Sequence, residues 1–515
     1  MRKLYSLIIV IIALLSLLVV SGCAGGSNSA TVVNPSHDTP TPTPPSPPTP
    51  TPPSTPTPTP TVFSNALLNG NYVVAVKGTN AKGPFTLLAI LQADGSGNIP
   101  TGHTFYNAST LSFGNFPISG TYNVAGDGRT KFNLTINPLG EFTIDPITLD
   151  AVLLSPQQGL VVRLDSTATA SGSIDKQAPL PISAAAMAGT YVFNFQGTDS
   201  AGQPETSVGT FTVDDKSNIT GGIQDTNDNG VITAGAAVVA APSSVFDVVP
   251  DVGNGVFSYT TSPDGLRDYA LVAIDANHIK FASNESIKVQ LGDLYRASPA
   301  NFSGSLVFAL HGVAGAGGPA FAAGGVINTD NAGRVLSSSV EDVNSGGVVS
   351  LNSTLSGVYS ATGNRIHVTL NGGAINLAAY PSMAGFQVIE TDSSNIASGV
   401  ALPQTGAFSD ATLNGNYGAI LAGSSASGEF GALAQATADG NGHLTGMLDL
   451  NDNGSLLSNL LLNGTYAMSS NGRAPGTLVT SAGSLNVIFY VANESQALVI
   501  EVDDHVSQGV LARQR

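Results

Sequence analysis

Three segments share one design: Leu413-Asn414-Gly415-Asn416-Tyr417, then Asp439-Gly440-Asn441-Gly442-His443-Leu444-Thr445-Gly446, then Leu462-Asn463-Gly464-Thr465-Tyr466. Each begins with turn formers and runs on into a strand pattern. Asp, Asn and Gly tolerate φ > 0, so the second segment reads as a hairpin turn between two strands. After Gly415, the residues Tyr417, Ala419 and Leu421 fall at a period of two, which predicts a strand with one buried face.

The glycine-led motif occurs earlier as Leu68-Asn69-Gly70-Asn71-Tyr72, Met187-Ala188-Gly189-Thr190-Tyr191 and Phe302-Ser303-Gly304-Ser305-Leu306, with successive glycines 119, 115 and 111 residues apart. The period of two follows each: Tyr72, Val74, Val76; Tyr191, Phe193, Phe195; Leu306, Phe308, Leu310. Asp-led turns recur at Asp94, Asp214 and Asp330, as at Asp439. A third signal restarts the pattern at Gly120-Thr121-Tyr122 and Gly357-Val358-Tyr359, as at Gly464. In the second repeat Gly255-Val256-Phe257 takes that place, after an insertion around 233–250. An arginine follows a turn each time, at Arg129, Arg267, Arg365 and Arg473. Late apolar runs such as 160–164 and 498–502 precede a further glycine: Gly172, Gly292, Gly399 or Gly509.

These signals predict an all-β chain with four tandem antiparallel meander barrels, because consecutive strands closed on themselves leave no exposed edge. A β-sandwich is the alternative architecture. The repeats span 62–180, 181–298, 299–408 and 409–515, with linkers near 176–183, 297–301 and 404–410. The three segments quoted first resemble the opening hairpins of avidin-like barrels. Avidins grip biotin largely with tryptophans, and this chain has 0 Trp, so the resemblance does not imply biotin binding.

Ahead of the repeats, Met1-Arg2-Lys3 gives a positive start, 4–20 is almost wholly apolar, and Val20-Ser21-Gly22-Cys23 follows. This resembles a bacterial lipoprotein signal with its lipobox. The resemblance implies cleavage of 1–22, a lipid chain on the sulfur of Cys23, and membrane attachment through that N-terminal anchor. Ala24 follows Cys23 with no Asp there, which by the family's sorting rule implies the outer membrane. From Thr39 to Pro60 every residue is Pro, Thr or Ser. Proline removes the backbone donor and fixes φ, so the stretch reads as a polyproline spacer of roughly 70 Å within the 23–61 linker.

Composition excludes several functions. Lys+Arg 18 against Asp+Glu 35 gives a net charge of -17, which argues against nucleic-acid binding, since that needs clustered basic residues. One cysteine excludes a disulfide framework. No G-x-S-x-G nucleophile motif occurs, and the histidines, His37, His103, His278, His311, His367, His443 and His505, are scattered singly. Acidic pairs such as Asp214-Asp215 and Asp503-Asp504 lie at turns, where neighbouring side chains point to opposite faces.

The sharpest polar constellation is Asp225-Thr226-Asn227-Asp228-Asn229-Gly230 and its counterpart Asp449-Leu450-Asn451-Asp452-Asn453-Gly454. Asp225, Asn227 and Asn229, like Asp449, Asn451 and Asn453, place oxygens as at the start of an EF-hand calcium loop. The twelfth position, a bidentate Glu in that loop, is Ala236 or Leu460. An Asn-Gly hairpin turn is therefore the favoured reading, and any calcium bound there is expected to be weak and structural.

The sequence thus leads us to expect a non-enzymatic, lipid-anchored envelope or cell-surface protein displaying four β-domains for binding or adhesion, with a glycan or protein as ligand. A spacer with no ligand is the alternative, and a secreted hydrolase fits less well. Cys23→Ala is expected to abolish palmitate labelling and release the protein from membranes or trap its precursor; unchanged labelling of the variant contradicts lipidation at Cys23.

Overall fold

The computed structural model describes residues 62–515 except 109, 110, 138–144, 243, 263, 264 and 286. Cys23, the expected export signal and the Pro/Thr-rich stretch lie outside the described residues. Local order starts at the Asp-led turns. Asp94 Oδ1 accepts the Ser96 and Asn98 N–H groups at 2.7 and 3.0 Å, and Asp330 Oδ1 accepts those of Ala332 and Arg334 at 2.9 and 2.8 Å. Asp214 and Asp439 do the same. A carboxylate that collects donors two and four residues on closes the turn without help from the rest of the fold. These bonds, first of all those from Asn98 and Asn218, hold the Asp94 and Asp214 carboxyls below their ordinary range.

Each turn joins long antiparallel strands, and each repeat closes into a barrel of eight strands. The first strands are Asn69–Asn80, Gly189–Thr198, Gly304–Val313 and Asn414–Ser425; the eighth are Ala168–Lys176, Val289–Arg296, Ile396–Pro403 and Val506–Arg513. First and eighth strands pair to shut each barrel. The late glycines make this possible. A Cβ on Gly172, Gly292, Gly399 or Gly509 would lie 1.9, 2.1, 2.0 or 1.7 Å from a carbonyl oxygen of the facing first strand. The barrel reading holds, and the sandwich alternative does not. The longest helix among the described residues, Ala184–Met187, has 4 residues, and no described helix is long and apolar enough to cross a membrane.

The barrel interiors are filled by side chains. Tyr72, Val74 and Val76 point inward in the first barrel, Tyr191, Phe193 and Phe195 in the second, Leu306, Phe308 and Leu310 in the third, and Tyr417 and Leu421 in the fourth. The expectation of a single buried face fails for these strands. Val73 and Ala75, between the inward residues, are buried against Val272 and Ile274 of the second barrel. Runs apolar at every position are the mark of strands covered on both sides.

That second burial recurs around a cycle. Val192 and Val208 of the second barrel pack on Ala378, Tyr380 and Ile389 of the third. Val307, Ala309 and Val326 of the third pack on Ile488, Tyr490 and Leu498 of the fourth. Ile420 and Leu433 of the fourth pack on Val152, Leu154 and Val162 of the first. The barrels therefore form a closed ring, within one compact unit over Pro60–Arg515.

Two correspondences differ from the sequence expectation. In the second repeat the counterpart of Tyr122, Tyr359 and Tyr466 is Phe246, not Phe257: its N–H binds Ser217 O at 2.9 Å as theirs bind Gly97, Gly333 and Gly442 O at 2.8 Å. The fourth strand of that barrel ends at Val239, and the aromatic sits on a separate short strand, Val245–Val248. Arg267 likewise does not match Arg129, Arg365 and Arg473, which open fifth strands. It lies on a sixth strand and points into its own barrel, 2.7 Å from Glu205, both side chains buried.

Candidate functional site: the joints and the axial cavity

The residues singled out as calcium ligands lie at the joints between barrels. Asn227, on the third strand Ile219–Asp228, directs its Nδ2 at the Glu390, Asp392 and Asn395 carbonyls of the third barrel, at 3.3, 3.1 and 2.8 Å. Asn451 directs its Nδ2 at the Arg163, Asp165 and Ala168 carbonyls of the first, at 2.7, 3.2 and 2.9 Å. Asn344 does so to Glu501, Asp503 and His505 of the fourth, and Asn107 to Ser283, Glu285 and Lys288 of the second. One amide thus satisfies the loop before each neighbouring eighth strand. The Oδ1 atoms of Asn227 and Asn451 accept the Gly230 and Gly454 N–H groups at 3.0 and 2.8 Å. Asn229 and Asn453 have φ of 49° and 48°, followed by Gly230 and Gly454 at 87° and 88°. These are the Asn-Gly hairpin turns favoured from the sequence.

Asp225 is fully buried, and its carboxylate is filled. Arg365 Nε and Nη2 approach it at 2.7 and 2.8 Å, Tyr380 Oη donates at 2.5 Å, and Gly235 N–H at 2.9 Å. Asp342 repeats this with Arg473 at 2.7 and 2.7 Å and Tyr490 Oη at 2.6 Å. A buried carboxylate met bidentately by guanidinium and again by a phenol is strongly held, and removing one partner from such a pair costs about 3–5 kcal/mol. Burial, then the neighbouring carboxylate, pushes the Tyr380 and Tyr490 hydroxyls well above their ordinary pKa, so both stay protonated donors. Asp449 accepts Asn459 N–H at 2.7 Å, but Arg129 turns to Asp127 and Asn459 Oδ1 at 2.9 and 2.7 Å. At the first joint Phe105 holds the Asp position. Together with Asn254 and Val272 it lines a cavity of about 460 Å³ there.

Sequence reading missed a second set of ties. Gln177 Nε2 binds the Val252 and Ala273 carbonyls at 3.0 and 2.9 Å, Gln404 those of Asn471 and Val491 at 3.0 and 2.8 Å, and Gln514 those of Asp127 and Leu153 at 2.8 and 2.8 Å. Each glutamine stands five residues after a late glycine, Gly172, Gly399 or Gly509. That recurrence was the signal available.

One group of three acid and imidazole side chains lies close together among the described residues: Glu501, Asp503 and His505. His505 Nδ1 is 3.0 Å from Glu501 Oε1 and 3.7 Å from Asp503 Oδ1, and its ring stacks on Phe430. Hydrogen bonds to Asp503 and Glu501 push its pKa up to about 10. The cluster stiffens the loop whose carbonyls Asn344 binds.

The ring's axis is the site the sequence did not reveal. The seventh residue after each motif glycine, Lys77, Gln196 and His311 in the first three barrels, lines a cavity of about 240 Å³ to which all four barrels contribute, with Glu429 and Ser424 from the fourth. Lys77, Gln196 and His311 also line a second chamber of about 440 Å³, joined there by Gln496 and Gln508. Gln196 Nε2 is tied to the His311 and Ser398 carbonyls at 3.2 and 3.0 Å. Among the described residues, the charged ends of Lys77 and Glu429 and the His311 ring make no hydrogen bond or ion pair with another side chain. Burial lowers the Lys77 pKa, opposed by the Glu429 charge. Burial, and then Lys77, pull His311 down to about 3, so that it is neutral at physiological pH. Burial pushes Glu429 up to about 7, with Lys77 opposing.

No family model and no curated protein sequence matches the chain. Among solved structures, a single-site variant of transferrin-binding protein B, a vaccine antigen from Haemophilus parasuis, is 12% identical and aligns over 77% of this chain and 95% of its own, with a TM-score of 0.19. An intact transferrin-binding protein B with N and C lobes is 10% identical over 87% of this chain and 95% of its own, with a TM-score of 0.17. A DUF3598-family protein of unknown function from Nostoc punctiforme is 13% identical over 45% of this chain and 97% of its own, with a TM-score of 0.14. Likeness at these scores carries no argument about function.

The Glu429 carboxyl sets a pH dependence. Its folded pKa of about 7 lies above the ordinary 4.5, so its contribution to stability is complete below about pH 4.5 and is lost as pH rises through 7. His311, depressed, acts in the opposite sense at lower pH and is common to wild type and variant. Glu429→Gln should therefore melt at the wild-type temperature near pH 4.5 and above it at pH 8.5, by at most a few kcal/mol at ~1.4 kcal/mol per pKa unit. Thermal melts at the two pH values check this, and an equal difference at both contradicts it.

Proposed function

We propose that the chain is a lipid-anchored, non-enzymatic envelope protein that holds a ring of four β-barrels off the outer membrane on a Pro/Thr-rich stalk and binds a ligand through that ring. The anchor and the surface location rest on the lipobox-like Val20-Ser21-Gly22-Cys23 and on the run from Thr39 to Pro60. The observation that carries binding is the axial cavity, where Lys77 and Glu429 face shared space without a protein partner. Desolvated charges are costly unless something satisfies them. The barrel lumens are packed mainly with Phe, Tyr, Leu and Val, so we place the ligand at the axis between the barrels and not inside one.

The cyclic packing also weighs against a pure spacer. A device for setting distance gains length from barrels stacked in a line, whereas a ring gives up that length. The weak calcium reading at Asp225, Asn227, Asn229, Asp449, Asn451 and Asn453 remains separate from the binding proposal; those residues sit at the joints.

Screening the purified mature protein by thermal shift against sugars, amino acids, organic acids and nucleotides, and on glycan and peptide arrays, tests the reading. A saturable hit in either format is the expected outcome. No binding in any arm would favour the spacer.

A further inference from the structure

Within the binding reading just proposed, the axial cavity offers a specific chemistry. Lys77 comes from the first strand of the first barrel and Glu429 from the second strand of the fourth, Gly428–Asp439. The two side chains are near enough for each to shift the other's titration, yet they form no ion pair, although direct contact is what a desolvated ammonium and carboxylate would otherwise favour. Both line one cavity, together with Gln196, His311 and Ser424. In the adjoining chamber the Gln508 Oε1 is buried and accepts no hydrogen bond from any described group.

A simple anion drawn to Lys77 would meet the Glu429 charge, and a simple cation drawn to Glu429 would meet Lys77. A molecule with both charges satisfies both. We infer that the axial cavity is a binding site for a small zwitterion of the amino-acid class, its carboxylate on Lys77 and its ammonium on Glu429. The size agrees: about 240 Å³ lies below the roughly 300–1,000 Å³ of pockets for drug-sized ligands. The neutral His311 ring and the amide of Gln196, fixed by its bonds to the third barrel, then act as uncharged walls that set the distance between the two ends. The backbone around them is tight. Gly78, Gly197, Gly312 and Gly423 follow Lys77, Gln196, His311 and Ala422, and a Cβ on any of them would lie 1.9, 1.9, 1.9 or 2.1 Å from a carbonyl of the facing eighth strand. First and eighth strands are therefore closely apposed behind the cavity wall.

The test titrates the purified mature protein with glycine, β-alanine and γ-aminobutyrate, which separate the two charges by increasing lengths, and with acetate and ethylammonium chloride as single-charge probes. Calorimetry and thermal melting are the readouts, on wild type, Lys77→Met and Glu429→Gln. At least one zwitterion is expected to bind saturably and raise the melting temperature, with affinity at least tenfold weaker in each variant and with neither single-charge probe matching it. The inference is overturned if no zwitterion binds, if acetate alone binds as well, or if affinity is unchanged in both variants. Because Glu429→Gln is nearly isosteric, a Lys77→Met protein that fails to fold leaves the second variant to decide. A sugar or peptide hit in the wider screen alongside failure here would leave the binding reading standing and remove only the zwitterion.

Discussion

Apolar strands with two faces to bury are the constraint on which the ring depends. In each barrel the first strands and the sixth to eighth strands carry valine, leucine and alanine on the outside as well as the inside. Each barrel therefore has two apolar flanks. A linear array would cover all but two of them, leaving Val152, Leu154 and Val162 of the first barrel and Ile420 and Leu433 of the fourth in water. Closing the cycle covers both at once, at about 25 cal/mol for each Å² of apolar surface removed from water.

The polar ties then give these non-directional contacts a register. An asparagine at the tip of a third strand reads carbonyls of the next barrel at every joint, whereas the Asp-Arg-Tyr cluster is present only at the second and third joints. This division fits the energetics. Neutral amide bonds to carbonyls are cheap to repeat, whereas a buried carboxylate needs hydrogen-bonding or charged partners brought to it. At the first joint Phe105 replaces the aspartate, and at the fourth Val152 stands where Tyr380 and Tyr490 stand in their barrels. Where those partners are missing the three-way cluster does not form; at the first joint Lys280 of the second barrel instead pairs with Asp293 at 2.7 Å and lies 4.0 Å from Asp175 of the first.

Most of the fold was legible, and the reasons are local. The motif glycines, the Asp-led turns and the period of two mark strands and hairpins because each depends on residues only a few positions apart. The late glycines were visible too, although their reason, contact between first and eighth strands, was not. The role of Asp225 and Asn227 at the joint was not legible, because the Arg365 and Tyr380 groups that meet the Asp225 carboxylate and the carbonyls that accept from Asn227 Nδ2 all come from the third barrel, 140 or more residues away. Phe246 was hidden by an interruption at 240–244, and Arg267 by a resemblance of spacing without equivalence of strand. The axial cavity was beyond reach for a deeper reason: Lys77, His311 and Glu429 each lie more than a hundred residues from the next in sequence, and nothing local says that four barrels share an axis.

Function, on this account, follows from closure, since the axial cavity exists only if the fourth barrel meets the first. The most direct measurement is small-angle X-ray scattering of residues 62–515. With barrels of about 110 residues and a radius of gyration near 13 Å each, a closed ring should give an overall radius of roughly 25 Å, and four barrels in line roughly 40 Å. The closed ring should give the smaller value, unchanged by moderate salt. A radius near the larger one would mean that the joint between the first and fourth barrels does not form, and with it would go the axial site.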